Sequence, residues 1–289
     1  WSRGLGDVYK RQTYDCTQFD QKGVCAWYKA RYSSFDNQSD GAGLLIAAYK
    51  MSSKMRVGGF IDYRGLESGP TDISYSNPLP SIGAFFGYSE QIAGLGLQIK
   101  ASGIYHQGTL NITRDSSLNG TESGYGSTRL SSYGFGGEIG YGFGLSDIMS
   151  ITPYLGIKKV NAARSAYLED DRVTKPISFN SFAEDLVTMT LGSKYHVNPD
   201  KKTSYNFSFG VEQDLYSNLD WLSGTSSISN MSSFSISSGD RKTTRFNAAA
   251  AGEYLIEKNK RLTADIDVRS LTYSSSPALS VMVGYKASF

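Results

Sequence analysis

Two cysteines and two histidines in a chain of 289 residues set the outer limits of its chemistry. Cys16 and Cys25 are close enough in sequence to close a small loop by a disulfide in an oxidising compartment, worth roughly 2–3 kcal/mol on the chain-entropy model. Two unpaired thiols fit the sequence equally well. A zinc site does not fit, because a structural site takes about four ligands and neither His106 nor His196 is near the cysteines. General-base or nucleophilic catalysis would need a histidine beside an acid or a serine. His106 and His196 fall at opposite ends of the strands predicted below and share no site, and a lone histidine at a rim reads as a solvated polar residue.

What remains is charge in a repeating register. Lys29, Arg31, Lys50, Arg56, Arg64, Lys100, Lys158, Lys194, Arg269 and Lys286 fall on the same face as Asp62, Glu138, Glu212, Asp214, Glu253, Asp265 and Asp267. Charges of both signs lining one face pair across an enclosed space, and they read as structural or guiding groups. They imply no catalytic residue, metal or cofactor.

That reading depends on the elements that carry them. From Val24 onward the apolar pattern has period two. Tyr133, Phe135, Gly137, Ile139, Tyr141 and Phe143 alternate with Ser132, Gly134, Gly136, Glu138, Gly140 and Gly142, which is the signature of a strand. The alternation recurs over 24–35, 41–51, 55–65, 80–90, 94–106, 128–144, 149–159, 180–197, 203–215, 242–257, 261–273 and 277–289. Most of these segments run about ten residues or more, beyond the usual strand length and near the 9–11 that cross a bilayer at a tilt. Composition agrees: 31 glycines, 20 tyrosines and 14 phenylalanines against 7 prolines favour β structure. The densest apolar run, GAGLLIAAY from Gly41 to Tyr49, is about half of the roughly 18 residues that a membrane-spanning helix needs. A formal charge of +2 supplies no field for nucleic acid.

The connections alternate in length. Short turns at 52–54, 91–93, 145–148, 198–202 and 258–260 lie between longer segments at 66–79, 107–127, 160–179 and 216–241, with 37–40 and 274–276 short on the long side. Tight turns at one end and long loops at the other, with strands this long and even in number, predict an all-β, twelve-stranded antiparallel transmembrane outer-membrane β-barrel with its turns in the periplasm. A soluble β-sandwich explains any single strand but not the length, the even count or the charged inner register. The outward register is nearly free of charge in mid-strand, as lipid requires. The first twelve residues, WSRGLGDVYKRQ, resemble a translated cloning linker and are set aside as non-native (1–12), leaving 13–23 as the remnant of an upstream region and 24–289 as the barrel.

Several stretches together resemble the C-terminal translocator barrel of type V secretion autotransporters. ITPYLGIKK (Ile151–Lys159) is similar to that family's proline-tyrosine strand, FSFGVEQDL (Phe207–Leu215) to its Gly-x-Glu-x-Asp strand, VTMTLGSKY (Val187–Tyr195) to the strand before it, and VMVGYKASF to the closing strand. The resemblance implies a location in the outer membrane of a Gram-negative bacterium, both barrel termini in the periplasm, contact with outer-membrane lipid, and an upstream passenger carried to the cell surface. It also implies an assembly signal in Val283, Tyr285 and Phe289, read by the barrel-assembly machinery. The family threads a helix through the pore before its first strand, whereas TYDCTQFDQKG (Thr13–Gly23) has no helical apolar stripe. Cys16 and Cys25 are then expected at or below the periplasmic mouth.

Three functions follow in order of fit. The first is a monomeric translocator whose lumen is about one helix, or about 10 Å, wide. The second is a passive small-solute channel or adhesin-like barrel; a channel would call for a long inward-folding loop with a charged constriction. The serine-rich segment 216–241 reads instead as a surface tip. The third, a barrel enzyme, lacks its histidine site.

Overall fold

Period-two sequence gives extended backbone, and extended backbone needs a neighbour on each side to satisfy its amides. The computed structural model describes residues 14–16, 19–36, 38–68, 72–76, 79–91, 94–114, 122–170, 173–226, 232–237, 239–257 and 260–287. Among them the strands are β1 (Val24–Phe35), β2 (Gln38–Lys50), β3 (Met55–Ser68), β4 (Ile73–Ser76), β5 (Ser81–Ser89), β6 (Gly96–Arg114), β7 (Gly124–Ser146), β8 (Met149–Arg164), β9 (Tyr167–Leu168), β10 (Ile177–Phe179), β11 (Phe182–Val197), β12 (Thr203–Leu219), β13 (Leu222–Ser226), β14 (Ser233–Ile236), β15 (Thr244–Glu257), β16 (Lys260–Arg269) and β17 (Ala278–Ala287). Twelve of them, β1, β2, β3, β5, β6, β7, β8, β11, β12, β15, β16 and β17, pair antiparallel each with the next. The last returns to the first, from Ala26↔Ala287 to Ser34↔Leu279, and closes the predicted twelve-stranded barrel.

Closure sorts the side chains into two coats. Tyr28, Leu45, Ile61, Phe135, Ile157, Leu191, Phe209 and Val283 lie on the outside, half or more exposed on average, while Lys29, Arg31, Asp62, Glu212 and Lys286 are buried inside. This inverts the distribution of a water-soluble protein and matches one whose outer solvent is hydrocarbon. β2 is apolar on both faces: Leu44, Ile46 and Ala48 are buried inside while Leu45 and Tyr49 face out. That explains why GAGLLIAAY is the densest apolar run in the chain. Inside, small residues make room for large ones. A Cβ added to Gly210 would sit 2.9 Å from the Tyr154 hydroxyl, and one at Gly192 would meet the same ring at 2.7 Å, so the tyrosine lies across two neighbouring strands.

The strands overrun their predicted ends by more than a residue or two only at the long-loop side. The strand predicted to stop at 106 continues to Arg114, and its partner begins at Gly124, with Asn111↔Ser127 and Thr113↔Tyr125 still paired. There the outward-facing side chains turn polar, leaving only Leu110 and Ile112 as apolar positions, so the alternation fades, but ladder hydrogen bonds need no apolar side chain. β4 adds to the same extension through Ile73↔Ile112. The serine-rich connection is more than a tip: its β13 and β14 join β10 and β9 of the neighbouring connection in a separate four-stranded sheet. Phe179 stacks on Tyr167 at 4.8 Å and meets Phe234 edge-on at 5.6 Å. Arg114 forks onto Glu169 at 3.0 Å through two nitrogens.

The two-coat arrangement is testable at Leu191, exposed on the outer face near the middle of β11. Leu191→Arg is expected to lower the unfolding free energy in phospholipid vesicles by about 2–4 kcal/mol, the cost of a cation at the bilayer midplane. Denaturant titration of vesicle-inserted protein measures it.

Candidate functional site in the barrel lumen

The chain enters β1 through a reversal at the short-turn end. The Asp20 carboxylate accepts from the Val24 amide at 2.7 Å, and the Gly23 amide donates to the Asp20 carbonyl at 3.2 Å. Gly23 takes φ +79°, which a residue with a side chain adopts only under strain. The Lys50 amide then donates to the Gly23 carbonyl at 2.8 Å and ties the turn to the end of β2. Because the chain reverses, the residues before the turn run back inside the barrel while β1 climbs its wall.

Each described residue of that inner arm is held by the wall. Tyr14 is buried, its ring edge-on to Phe60 at 5.1 Å. Its hydroxyl donates to Asp62 at 3.2 Å and accepts from Arg31 at 3.3 Å. Arg31 also donates to Asp62 at 3.1 Å and to Asp40 at 3.0 Å, so a buried cation is shared between two carboxylates. Asp15 accepts both prongs of the Arg56 guanidinium, at 2.9 and 2.7 Å, with the Lys100 ammonium 3.9 Å away. Cys16 and Cys25 are joined by a disulfide, and both are fully buried. They lie just inside the short-turn mouth, where Cys25 pairs with Ala48. They share an apolar cluster with Tyr14, Ile46, Phe60 and Met282, against which Phe19 and Trp27 pack.

The opposite wall is charged but paired within itself. Glu212, buried on β12, accepts from Asn247 at 3.0 Å and Lys158 at 3.4 Å, with Arg245 at 3.8 Å. Asp214 accepts from Arg245 at 2.5 and 2.8 Å, Arg241 at 2.7 Å and Thr188 at 2.8 Å. Lys194 bonds Glu138, Arg269 lies 3.8 Å from Asp267, and, on the β1 side beside the arm, Lys29 bonds Asp265 at 2.6 Å. Glu253 is 3.7 Å from both Lys286 and Arg261. The ammonium groups of Lys29 and Lys286 sit over the Trp27 ring, at 4.5 and 4.1 Å. Arg56, Asp62, Lys100, Glu138, Lys158, Glu212, Asp214, Glu253, Asp265, Asp267, Arg269 and Lys286 therefore all enter ion pairs inside the barrel. Val283 and Tyr285 face outward on β17, and Phe289 lies outside the described residues.

Between the inner arm and this wall is open space. One cavity of about 180 Å³ is lined by Gly136, Gly137, Gly156, Lys158 and Arg269, and another of about 380 Å³ reaches from Tyr14 and Asp15 to Ala249 and Ala251. Small residues on β7, β8 and β15 leave this lane beside the arm. His106 corrects the expectation of a solvated rim histidine: it is buried, with Nδ1 2.9 Å from the Ser81 hydroxyl. Ser81 is itself only 1 % exposed. His196 bonds Asn206 and Asn198 at the other end of the barrel. Sequence reading missed Arg245 and Asp40. Arg245 shares the alternation of Asn247, Ala249, Ala251 and Glu253, so its register was available. Asp40 sat in what read as a turn. Tyr14 and Asp15 carried no periodic signal.

The family model described as the autotransporter beta-domain matches residues 22–267. The fold is similar to the translocator domain of the autotransporter NalP from Neisseria meningitidis (TM-score 0.70, 16 % identity, covering 99 % of this chain and 94 % of that one). It is also similar to the transport unit of the autotransporter AIDA-I from Escherichia coli (TM-score 0.60, 12 % identity, 100 % and 97 %). A third similar structure is the beta domain of the Bordetella autotransporter BrkA (TM-score 0.57, 13 % identity, 93 % and 100 %). No curated protein sequence matches the chain.

The two walls predict different mutant phenotypes. Asp15→Asn weakens the hold on the inner arm, so planar-bilayer recordings are expected to show more frequent wide openings than the parent barrel. Glu212→Gln strips partners from bases within the opposite wall and is expected to cost about 3 kcal/mol of stability, as for breaking a buried pair, with openings unchanged.

Proposed function

The chain belongs to the autotransporter beta-domain family, and from that membership we propose that it spans the outer membrane of a Gram-negative bacterium and supports export and anchoring of a passenger joined upstream of its first strand. The observation that carries this reading is the inner arm. Tyr14, Asp15 and Cys16 lie in the lumen and run away from the short-turn end, the direction in which a passenger joined upstream would have to pass. On this reading the short turns are periplasmic and the long loops, with their four-stranded sheet, are outside. The outer coat contacts lipid. Val283, Tyr285 and Phe289 form the strand end recognised by the barrel-assembly machinery.

Export here makes and breaks no bond in the passenger. The wall supplies water, paired charge and a smooth lane of glycine and alanine. The Ser81–His106 pair belongs to the wall rather than to a catalytic site, because a serine this buried offers no nucleophile to a substrate. An arm held in the lumen narrows the path to the lane beside it, which separates this reading from an unobstructed small-solute pore.

Three measurements test it. A reporter peptide fused upstream of Thr13 is expected to become protease-accessible on intact cells; a reporter that stays inside, together with a large steady conductance, would favour the channel. Cysteine introduced at Ser235 is expected to react with an impermeant maleimide on intact cells, and cysteine at Asp200 only after the envelope is opened. Deleting Phe289 is expected to leave chain in the periplasm that migrates identically on gels with and without heating.

A further inference from the structure

The disulfide presents a problem of access. Cys16 and Cys25 are each 0 % exposed, inside a closed barrel and within an apolar cluster that includes Ile46, Ala48, Phe60 and Met282. Forming the bond from two thiols requires an oxidant. One cysteine thiolate attacks the donor's disulfide to give a mixed disulfide and releases one donor thiolate. The second cysteine thiolate then displaces the other donor sulfur, so two electrons and, through solvent, the two cysteine protons pass to the donor, which leaves as a dithiol. Each displacement needs the attacking sulfur to reach the bond in line. Sulfurs with no exposed surface, even at the mouth of the barrel, offer a protein thiol-oxidase no such approach.

We propose that Cys16 and Cys25 are oxidised by a periplasmic disulfide-bearing thiol-oxidase before β1 and β17 pair, and that the bond then fixes the inner arm to the barrel wall for the life of the folded protein. Sequence and geometry meet here. The cysteines are 9 residues apart with Cα atoms 6.3 Å apart, and the segment between them contains the Asp20–Val24 turn. The bond therefore joins the two legs of a reversal already favoured by local hydrogen bonds, and the ring closes in the unassembled chain. Once that ring is inside the barrel, residues 16–25 form a covalent loop that does not slide. Tyr14 and Asp15 continue from its fixed end into the Arg31–Asp62 and Arg56 contacts. Resting on the translocator reading, this makes the inner arm the stationary leg, while any moving chain uses the lane beside Gly136, Gly156 and Ala249.

The order of events is read in cells by pulse-labelling the chain, trapping thiols with a charged maleimide in denaturant, and scoring heat-modifiable migration in the same samples. The expected result is that alkylatable thiol disappears before the heat-modifiable form accumulates. A heat-modifiable population that still carries both thiols and later loses them would overturn the order. Purified, folded barrel treated with dithiothreitol is expected to keep its disulfide, reacting at least about tenfold more slowly than the urea-unfolded chain; equal rates would overturn the claim that the bond is sealed in. The anchoring role is read with Cys16→Ser/Cys25→Ser. This double variant is expected to show more frequent wide openings in planar bilayers, and unchanged openings would remove that role. The thiol measurements use the unaltered chain and no passenger, so they stand whether or not the upstream reporter is exported.

Discussion

In hydrocarbon, a backbone amide has no water to fall back on, so every N–H and C=O that crosses the bilayer must be paired within the protein. The pairing of β17 with β1 removes the last free edge of this sheet. Without it the antiparallel ladder from β1 round to β17 would present two unpaired rows to lipid, and the rest of the architecture would not survive. Closure also dictates the use of side chains. Once the sheet is a ring, odd and even positions are committed to lipid or lumen along every strand, and a slip of one residue in any pair would place Glu212 or Lys286 in the acyl chains.

This commitment explains what the sequence revealed. Alternation over ten or more residues is a strong signal when both solvents are demanding, hydrocarbon outside and a crowded charged lumen within. β1, β5, β8 and β17 were legible to within a few residues at the short-turn end. The signal failed where only one demand remained. Above the membrane β6 and β7 stay paired through Asn111, Thr113 and Ser127, where Leu110 and Ile112 are too few to make a periodic signal. The four residues of β14 are too few for periodicity and are organised by Phe234 against Phe179. Tyr14 and Asp15 were illegible for a different reason. They form no repeating element, and their place follows from partners on β1, β3 and β6 that only the folded ring brings together.

The inner arm answers an energetic question that a family resemblance poses. A pore-threading helix gains stability from many wall contacts, whereas the described part of this arm is short and extended and needs concentrated ones. It has three: a covalent bond at Cys16, a bidentate carboxylate–guanidinium pair at Asp15, and a tyrosine whose ring packs on Phe60 while its hydroxyl joins a buried cation to a carboxylate. The apolar inner face of β2 belongs to the same solution. Leu44, Ile46 and Ala48 would be misplaced in a water-filled channel, and they make sense as the floor on which Cys16 and its neighbours rest.

On the proposed translocator reading, the opposite wall must satisfy the contrary requirement of not holding a passing chain. A bare ammonium or carboxylate in the lane would bind chain segments of opposite sign with a Coulomb attraction of about 4 kcal/mol at 4 Å for an effective dielectric near 20, and several in a row would arrest a passing polypeptide. Pairing Lys158 with Glu212, Lys194 with Glu138, and Arg245 with Asp214 cancels most of that field at close range while leaving a wettable surface. Glycine at 136, 137 and 156 and alanine at 249 and 251 withhold the apolar side chains that would otherwise form a sticky pocket. One half of the lumen thus grips through unlike contacts made to a specific segment, and the other half is neutralised by contacts made to itself. That asymmetry is what the proposed translocator needs, one leg of a chain held still beside a lane that holds nothing, and a pore filtering solutes evenly from every side has no use for it.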